Sequence, residues 1–186
     1  MEQMTATSTA ARFRGRVQDP VDFQEFAVSR GGQLFRTAYL LTAGDAHLAE
    51  DLVQEALGRM FARWGRLSRL DNPSGYAQTV LANVFISQRR KRSSGELPTE
   101  SLAERGHGAA GGDEDPALRV TLLAALRQLP PQDRAVLVLR YWEDRSVEET
   151  AAALRLTSTA VRSRSSRALE RLRGVLGGSF AEIAER

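Results

Sequence analysis

The chain has 186 residues, 26 basic and 23 acidic, for a formal net charge of +3; 42% are hydrophobic and none is cysteine. That length bounds it to one domain of ordinary size or two small ones, and the missing cysteine excludes a disulfide framework, a thiol catalyst and any cysteine-ligated zinc. No apolar run approaches the ~20 residues of a membrane span, and the N-terminus lacks a signal peptide's apolar stretch, so a cytoplasmic location is expected.

Of the basic residues 25 are Arg and one is Lys91, and their placement says more than their sum. Residues 1–21 carry three Arg against two acids and read as a disordered or weakly ordered arm. Asp19-Pro20 then signals a helix start, an acceptor at the N-cap and proline at N1. Phe23, Phe26, Ala27, Leu34, Ala38 and Leu41 follow at three- and four-residue steps. Gly44-Asp45 punctuates, with Asp45 a candidate N-cap. The second helix sets Leu48, Leu52, Val53, Ala56, Leu57, Met60, Phe61 and Trp64 on one broad face. A break is expected over Gly65–Asp71, and Asn72-Pro73 again reads as N-cap plus N1. A third helix turns Tyr76, Ala77, Val80, Leu81, Val84 and Phe85 inward and ends in Arg89-Arg90-Lys91-Arg92. Nothing alternates with period two, so residues 22–92, with ten basic against seven acidic groups, form a small helical bundle.

Two features of this bundle point outward. Glu50, Asp51, Gln54 and Glu55 share one polar face of the second helix. Acids in a helix's first turns also complement its macrodipole, so spacing alone leaves both readings open. The cations Arg89–Arg92 radiate around a helix end, which the dipole does not require; a polyanion would relieve their repulsion.

Residues 93–117 carry one Arg against six acids and almost no large apolar side chain. Such a segment buries too little to repay ordering, so a flexible acidic linker between two domains is expected. A surface loop within one domain is the other reading, but 25 structureless residues would be unusual there.

The second block, 118–177, belongs to a C-terminal stretch with twelve Arg against eight acids. Helices are expected over 118–128 and 132–141. Ser146-Val-Glu-Glu149 matches a capping box that opens a third helix from Val147 to about Ala153. Leu154-Arg155-Leu156 connects to Thr157-Ser158-Thr159, a cluster of possible N-caps, and a last helix runs to about Leu176. Helix, tight turn, helix at this spacing is a helix-turn-helix unit. In the last helix Val161, Ala168, Leu169 and Leu172 can face the core, while Arg162, Ser163, Ser166 and Arg167 share another face. Arg forks and serines can grip base edges or phosphates, and these residues sit in the N-terminal half that a recognition helix presents to the major groove. Arg abundance alone makes such clusters common, so the helix-turn-helix frame carries the weight. Residues 178–186 are a short tail.

The stretch AEDLVQEALGRMFARWGRL, residues 49–67, resembles the second region of bacterial RNA polymerase sigma factors. NPSGYAQTVLANVFISQRRKR resembles the part that melts and reads the promoter minus-ten element. LRQLPPQDRAVLVLRYWEDRSVEETAAALRLTSTAVRSRSSRALERLR resembles the sigma-four domain that reads the minus-thirty-five element. Two such domains and a linker match the extracytoplasmic-function (ECF) group of the sigma-70 family. LFRTAYLLTAGD and LPPQDRAVLVLRYWEDRSVEETAAALR are similar to wording in its actinobacterial sigma-E-type branch.

The resemblance implies an all-α protein of two helical domains that binds core polymerase and opens promoter DNA, without being an enzyme itself. It implies that Asp51, Gln54 and Glu55, with Glu50 on the same face, dock on the β′ clamp helices. Leu67, Ser68, Arg69, Asp71 and Asn72 fall in a specificity loop that holds a flipped minus-ten base. Tyr76 would wedge against the opened duplex, Asn83 would lie near the flipped base, and Arg89, Arg90 and Arg92 would hold phosphates. Thr159, Arg162, Ser163, Ser166 and Arg167 would face the minus-thirty-five groove, and the second domain would sit on the β flap. An anti-sigma factor is a possible further partner, and no cofactor, metal or membrane insertion is implied. The rival reading is a stand-alone dimeric helix-turn-helix regulator, which needs no acidic docking face. His47 and His107 are isolated, and no phosphate-cradling loop, metal cluster or nucleophile motif is present. One departure stands out: many relatives have Gly where Arg155 stands, and a left-handed Arg there would cost about 1–2 kcal/mol.

Overall fold

The computed structural model describes residues 20–95 and 116–177. Among these residues there are eight α-helices, one π-helical segment and no strand. Residues 1–19 of the expected arm, 96–115 of the expected acidic linker and the tail, with Asp19 and His107, lie outside the described residues; the arm's last residues (Pro20, Val21) and the linker's ends (Ser93, Pro116, Ala117) are helical instead.

The first group contains α1 (Pro20–Leu41), α2 (Ala46–Phe61), the one-turn α3 (Trp64–Leu67) and α4 (Pro73–Ser93). Local chemistry sets its boundaries. The Asp45 carboxylate accepts from Leu48 N at 3.0 Å, and Asn72 Oδ1 accepts from Gly75 N at 2.7 Å ahead of Pro73. The α1–α2 turn is left-handed at Ala43 and Gly44. Leu34, Ala38, Leu41, Leu52, Met60, Leu81 and Phe85 form the buried seam.

Two expectations need correction here. The second helix ends at Phe61, before Trp64, and the expected break is itself partly helical. Leu67 N bonds Arg63 O at 3.2 Å and Ser68 N bonds Trp64 O at 3.0 Å, closing one turn. That turn is anchored by the buried Trp64, whose ring lies 5.1 Å from Phe23 and 4.8 Å from Phe26. Phe61, assigned inward by periodicity, sits where α2 stops and is 56% exposed.

The second group contains α5 (Pro116–Arg127), α6 (Pro131–Leu137), a π-helical segment (Val138–Trp142), α7 (Val147–Leu154) and α8 (Ser158–Leu176). The single helix expected over 132–141 therefore changes pitch halfway, with Glu143 N bonding Val138 O at 3.0 Å. Ser146 and Glu149 form the capping box in full, and Thr157 caps α8 through Ala160 N at 3.1 Å. Arg155 ends α7 at φ 55, ψ 44, the left-handed conformation. Leu156 N to Ala151 O at 2.9 Å and Arg155 N to Ala152 O at 3.4 Å complete a Schellman closure. The turn thus keeps the geometry a glycine would serve and holds an arginine in it.

The two groups pack directly on one another. Arg134 is buried; it donates to Leu41 O at 2.9 Å at the end of α1, and to Arg127 O at 3.1 Å and Leu129 O at 3.2 Å. Its guanidinium lies 5.8 Å from the Phe85 ring centroid. Burial, then repulsion from Arg89 and Arg127, lowers its pKa to about 10. Arg127 donates to Ala43 O at 3.1 Å, so one arginine of the second group caps the end of α1 and another holds the α1–α2 turn.

Candidate nucleic-acid interface

The turn after the π-helical segment projects Glu143 and Arg145 toward α1 and α4. Glu143 accepts from Thr37 and Gln78, and from Gln33 Nε2 at 3.3 Å. Arg145 donates to Gly75 O, to Thr79 Oγ1 at 2.8 Å and to Gln78 Oε1 at 2.9 Å. Burial lowers the Arg145 pKa, partly opposed by Glu143 and Glu149. This polar seam lies along the first turns of α4, where the resemblance placed minus-ten recognition.

The same seam covers residues expected to read DNA. Tyr76 is half-buried. Asn83 Nδ2 donates to Thr79 O and, across the interface, to Ala153 O, both at 2.9 Å. Tyr76, Thr79 and Asn83 line a cleft of about 840 Å³ between α4 and α7, rimmed by Arg59, Arg63, Arg90 and Arg155. Among the described residues no acidic side chain lines it.

The other expected residues fall into distinct environments. Leu67 closes α3 and is buried, so the exposed loop begins one residue later than expected. Arg69, Asp71 and Asn72 are exposed, and Asn72 also serves as the α4 cap; Ser68 is half-buried. Arg89 is half-buried beside the Phe85 ring, 5.7 Å from its centroid, and its pKa is lowered by burial and by Arg92; Arg90 is exposed. On α8, Thr159, Arg162, Ser163, Ser166 and Arg167 are all exposed. Arg162 pairs with Glu148 at 3.2 Å, and Arg164 anchors the helix from behind through Asp133 at 2.5 Å. On α2, Glu50, Asp51 and Gln54 are exposed, whereas Glu55 pairs with Arg59 and accepts from Gln88 Nε2 at 2.6 Å. Glu143, Arg145, Arg134 and Arg127 carry the interface and had no signal in the sequence beyond their charge.

Among the described residues no His, Asp and Glu cluster suits a metal, and no helix is long and apolar enough to cross a membrane. A helix-turn-helix unit with an arginine- and serine-bearing outer face, packed on a second helical group with a basic cleft, defines a protein built to meet nucleic acid. Residues 28–95 match sigma-70 region 2, and residues 119–172 match sigma-70, region 4. The RNA polymerase sigma-E factor of Streptomyces coelicolor is 39% identical over 82% of this chain and 85% of its own length. The ECF RNA polymerase sigma factor SigE of Mycolicibacterium smegmatis is 32% identical over 88% of this chain and 65% of its own. The sigma factor RpoE of Bartonella quintana, solved with the anti-sigma factor NepR, superposes with a TM-score of 0.66 at 30% identity, over 84% of this chain and 98% of that one. The chain belongs to the sigma-70 family of RNA polymerase sigma factors, in its ECF group. That membership decides for a sigma factor over a stand-alone dimeric regulator.

Proposed function

We propose that this chain binds core RNA polymerase reversibly, reads both promoter elements and opens the DNA, while the polymerase performs all chemistry. The observation that carries the reading is that both sigma regions occur in order along the chain, each on its own helical group. Glu50, Asp51 and Gln54 dock on the β′ clamp helices, with Glu55 shaping their edge through Arg59 and Gln88. Ser68, Arg69, Asp71 and Asn72 form the minus-ten loop on a base fixed by Leu67. Tyr76 wedges the opened duplex and Asn83 faces a flipped base, whose unstacking costs a few kcal/mol. Arg89, Arg90 and Arg92 hold phosphates. Thr159, Arg162, Ser163, Ser166 and Arg167 read the minus-thirty-five groove, and the second domain rests on the β flap.

In this reading residues 22–92 and 118–177 are the two working domains, 93–117 the acidic strap between them, and 1–21 and 178–186 peripheral. The chain acts in the cytoplasm, on the nucleoid when bound to polymerase. An anti-sigma factor, the partner in the Bartonella structure, is a candidate regulator. Run-off transcription with core polymerase and a promoter library tests the proposal: template-specific transcripts are expected, and transcription no better than core alone overturns it.

A further inference from the structure

We propose that Arg155, in the helix-turn-helix turn, grips a backbone phosphate of the upstream promoter duplex; the assignment rests on the promoter-reading function above. The turn asks only a backbone conformation of this position. Its φ of 55 and ψ of 44 close the Schellman bonds, which glycine would do without strain. The Arg155 side chain adds nothing to the fold: it is exposed and has no hydrogen bond or ion pair among the described residues. It also borders the cleft with Arg59, Arg63 and Arg90; among the described residues no acid lines that cleft, and of these four arginines Arg59 alone has a carboxylate partner.

The left-handed strain at Arg155 is therefore carried with no side-chain return among the described residues. Local rules are broken in this way where a function returns the cost. The missing partner is a polyanion, and the turn's place indicates which one. Arg155 stands three residues before Ser158, where α8 begins. Glu148 of α7 touches Arg162 of α8, so the exposed side of α7 adjoins the face that would enter the groove. A recognition helix in the major groove has strand phosphates along its flanks, within range of a long side chain from the preceding turn. Such a contact positions the domain and carries no base information.

The test uses holoenzyme reconstituted from the full chain and core polymerase, titrated onto promoter duplex at several salt concentrations. Arg155→Gly should weaken binding about five-fold at ~0.15 M salt and reduce the log–log salt slope by about 0.9, the share of one released counterion. The loss should be equal on strong and weak minus-thirty-five sequences, and the free variant should melt at a higher temperature than the parent. Arg155→Lys, which keeps the charge, should retain the parental slope. Parental holoenzyme that binds, with an Arg155→Gly variant of unchanged affinity and slope, overturns this assignment alone. Parental holoenzyme that does not bind overturns the functional reading and this assignment with it.

Discussion

Arg134 links three backbone carbonyls and an aromatic face from a buried position, joining the end of α1 to the α5–α6 corner. Truncation would leave those acceptors buried without a donor, and an unmet charged hydrogen bond costs more than a made one contributes. Arg134→Ala should therefore lower unfolding free energy by about 2–3 kcal/mol in urea denaturation, with Arg134→Lys recovering only part of it. Gly44 is constrained differently. Its φ is +91, and a Cβ there would meet Leu123 Cδ1 at 3.0 Å. Gly44→Ala should cost about 1–2 kcal/mol, read as a lower melting temperature. The caps at Asp45, Asn72, Ser146 and Thr157 were legible in the sequence because capping is decided within three residues. Arg134, Glu143 and Arg145 were not. The partners of Glu143 lie between 65 and 110 positions away, and neither residue type nor spacing reveals such a pairing.

At the level of elements, the sequence pattern located most helices and erred where one changed character. Residues 132–141 read as one helix because their apolar spacing is continuous. The π-helical segment preserves that burial while altering the pitch, and it delivers the chain into Glu143 and Arg145. Trp64 was placed inward correctly but on the wrong helix, since aromatic packing against Phe23 and Phe26 holds a separate turn there. Helix α7 has a pH-sensitive end. Bonds from the Ser146 backbone N–H and hydroxyl hold the Glu149 carboxyl below its ordinary 4.5. A carboxyl with a lowered folded pKa contributes stability above its unfolded value and loses it as pH falls through the folded one. The parental melting temperature should thus fall more steeply below about pH 4.5 than that of Glu149→Ala, whose curve lacks this component.

Over the whole molecule, the two groups were expected as separate units, and each is recognised separately by its region. Their packing was hidden from the sequence because the side chains that hydrogen-bond across it read as ordinary surface, and the apolar residues behind them read as two separate cores. Glu143 is its hub, as the shared acceptor of Thr37, Gln33 and Gln78. Glu143→Ala should loosen the seam, so amides in the first turns of α4 should exchange hydrogen faster in the free protein while those in the middle of α2 keep their protection. Equal exchange in the two proteins would show that the remaining contacts hold the groups together alone.

The surfaces left open by this packing are unequal. The acidic face of α2 and the outer face of α8 are exposed, while Asn83 is engaged by Ala153 and Tyr76 lies half-buried in the cleft. If these faces act as proposed, a chain in this arrangement can meet polymerase and touch double-stranded DNA while Asn83 is still engaged by Ala153. The proposed roles would then carry a chronology: docking and duplex inspection would precede any use of Asn83, whose amide would first have to release Ala153. On the same reading, a free chain meeting the chromosome away from polymerase would lack the later step, and melting would stay with the enzyme that can use it.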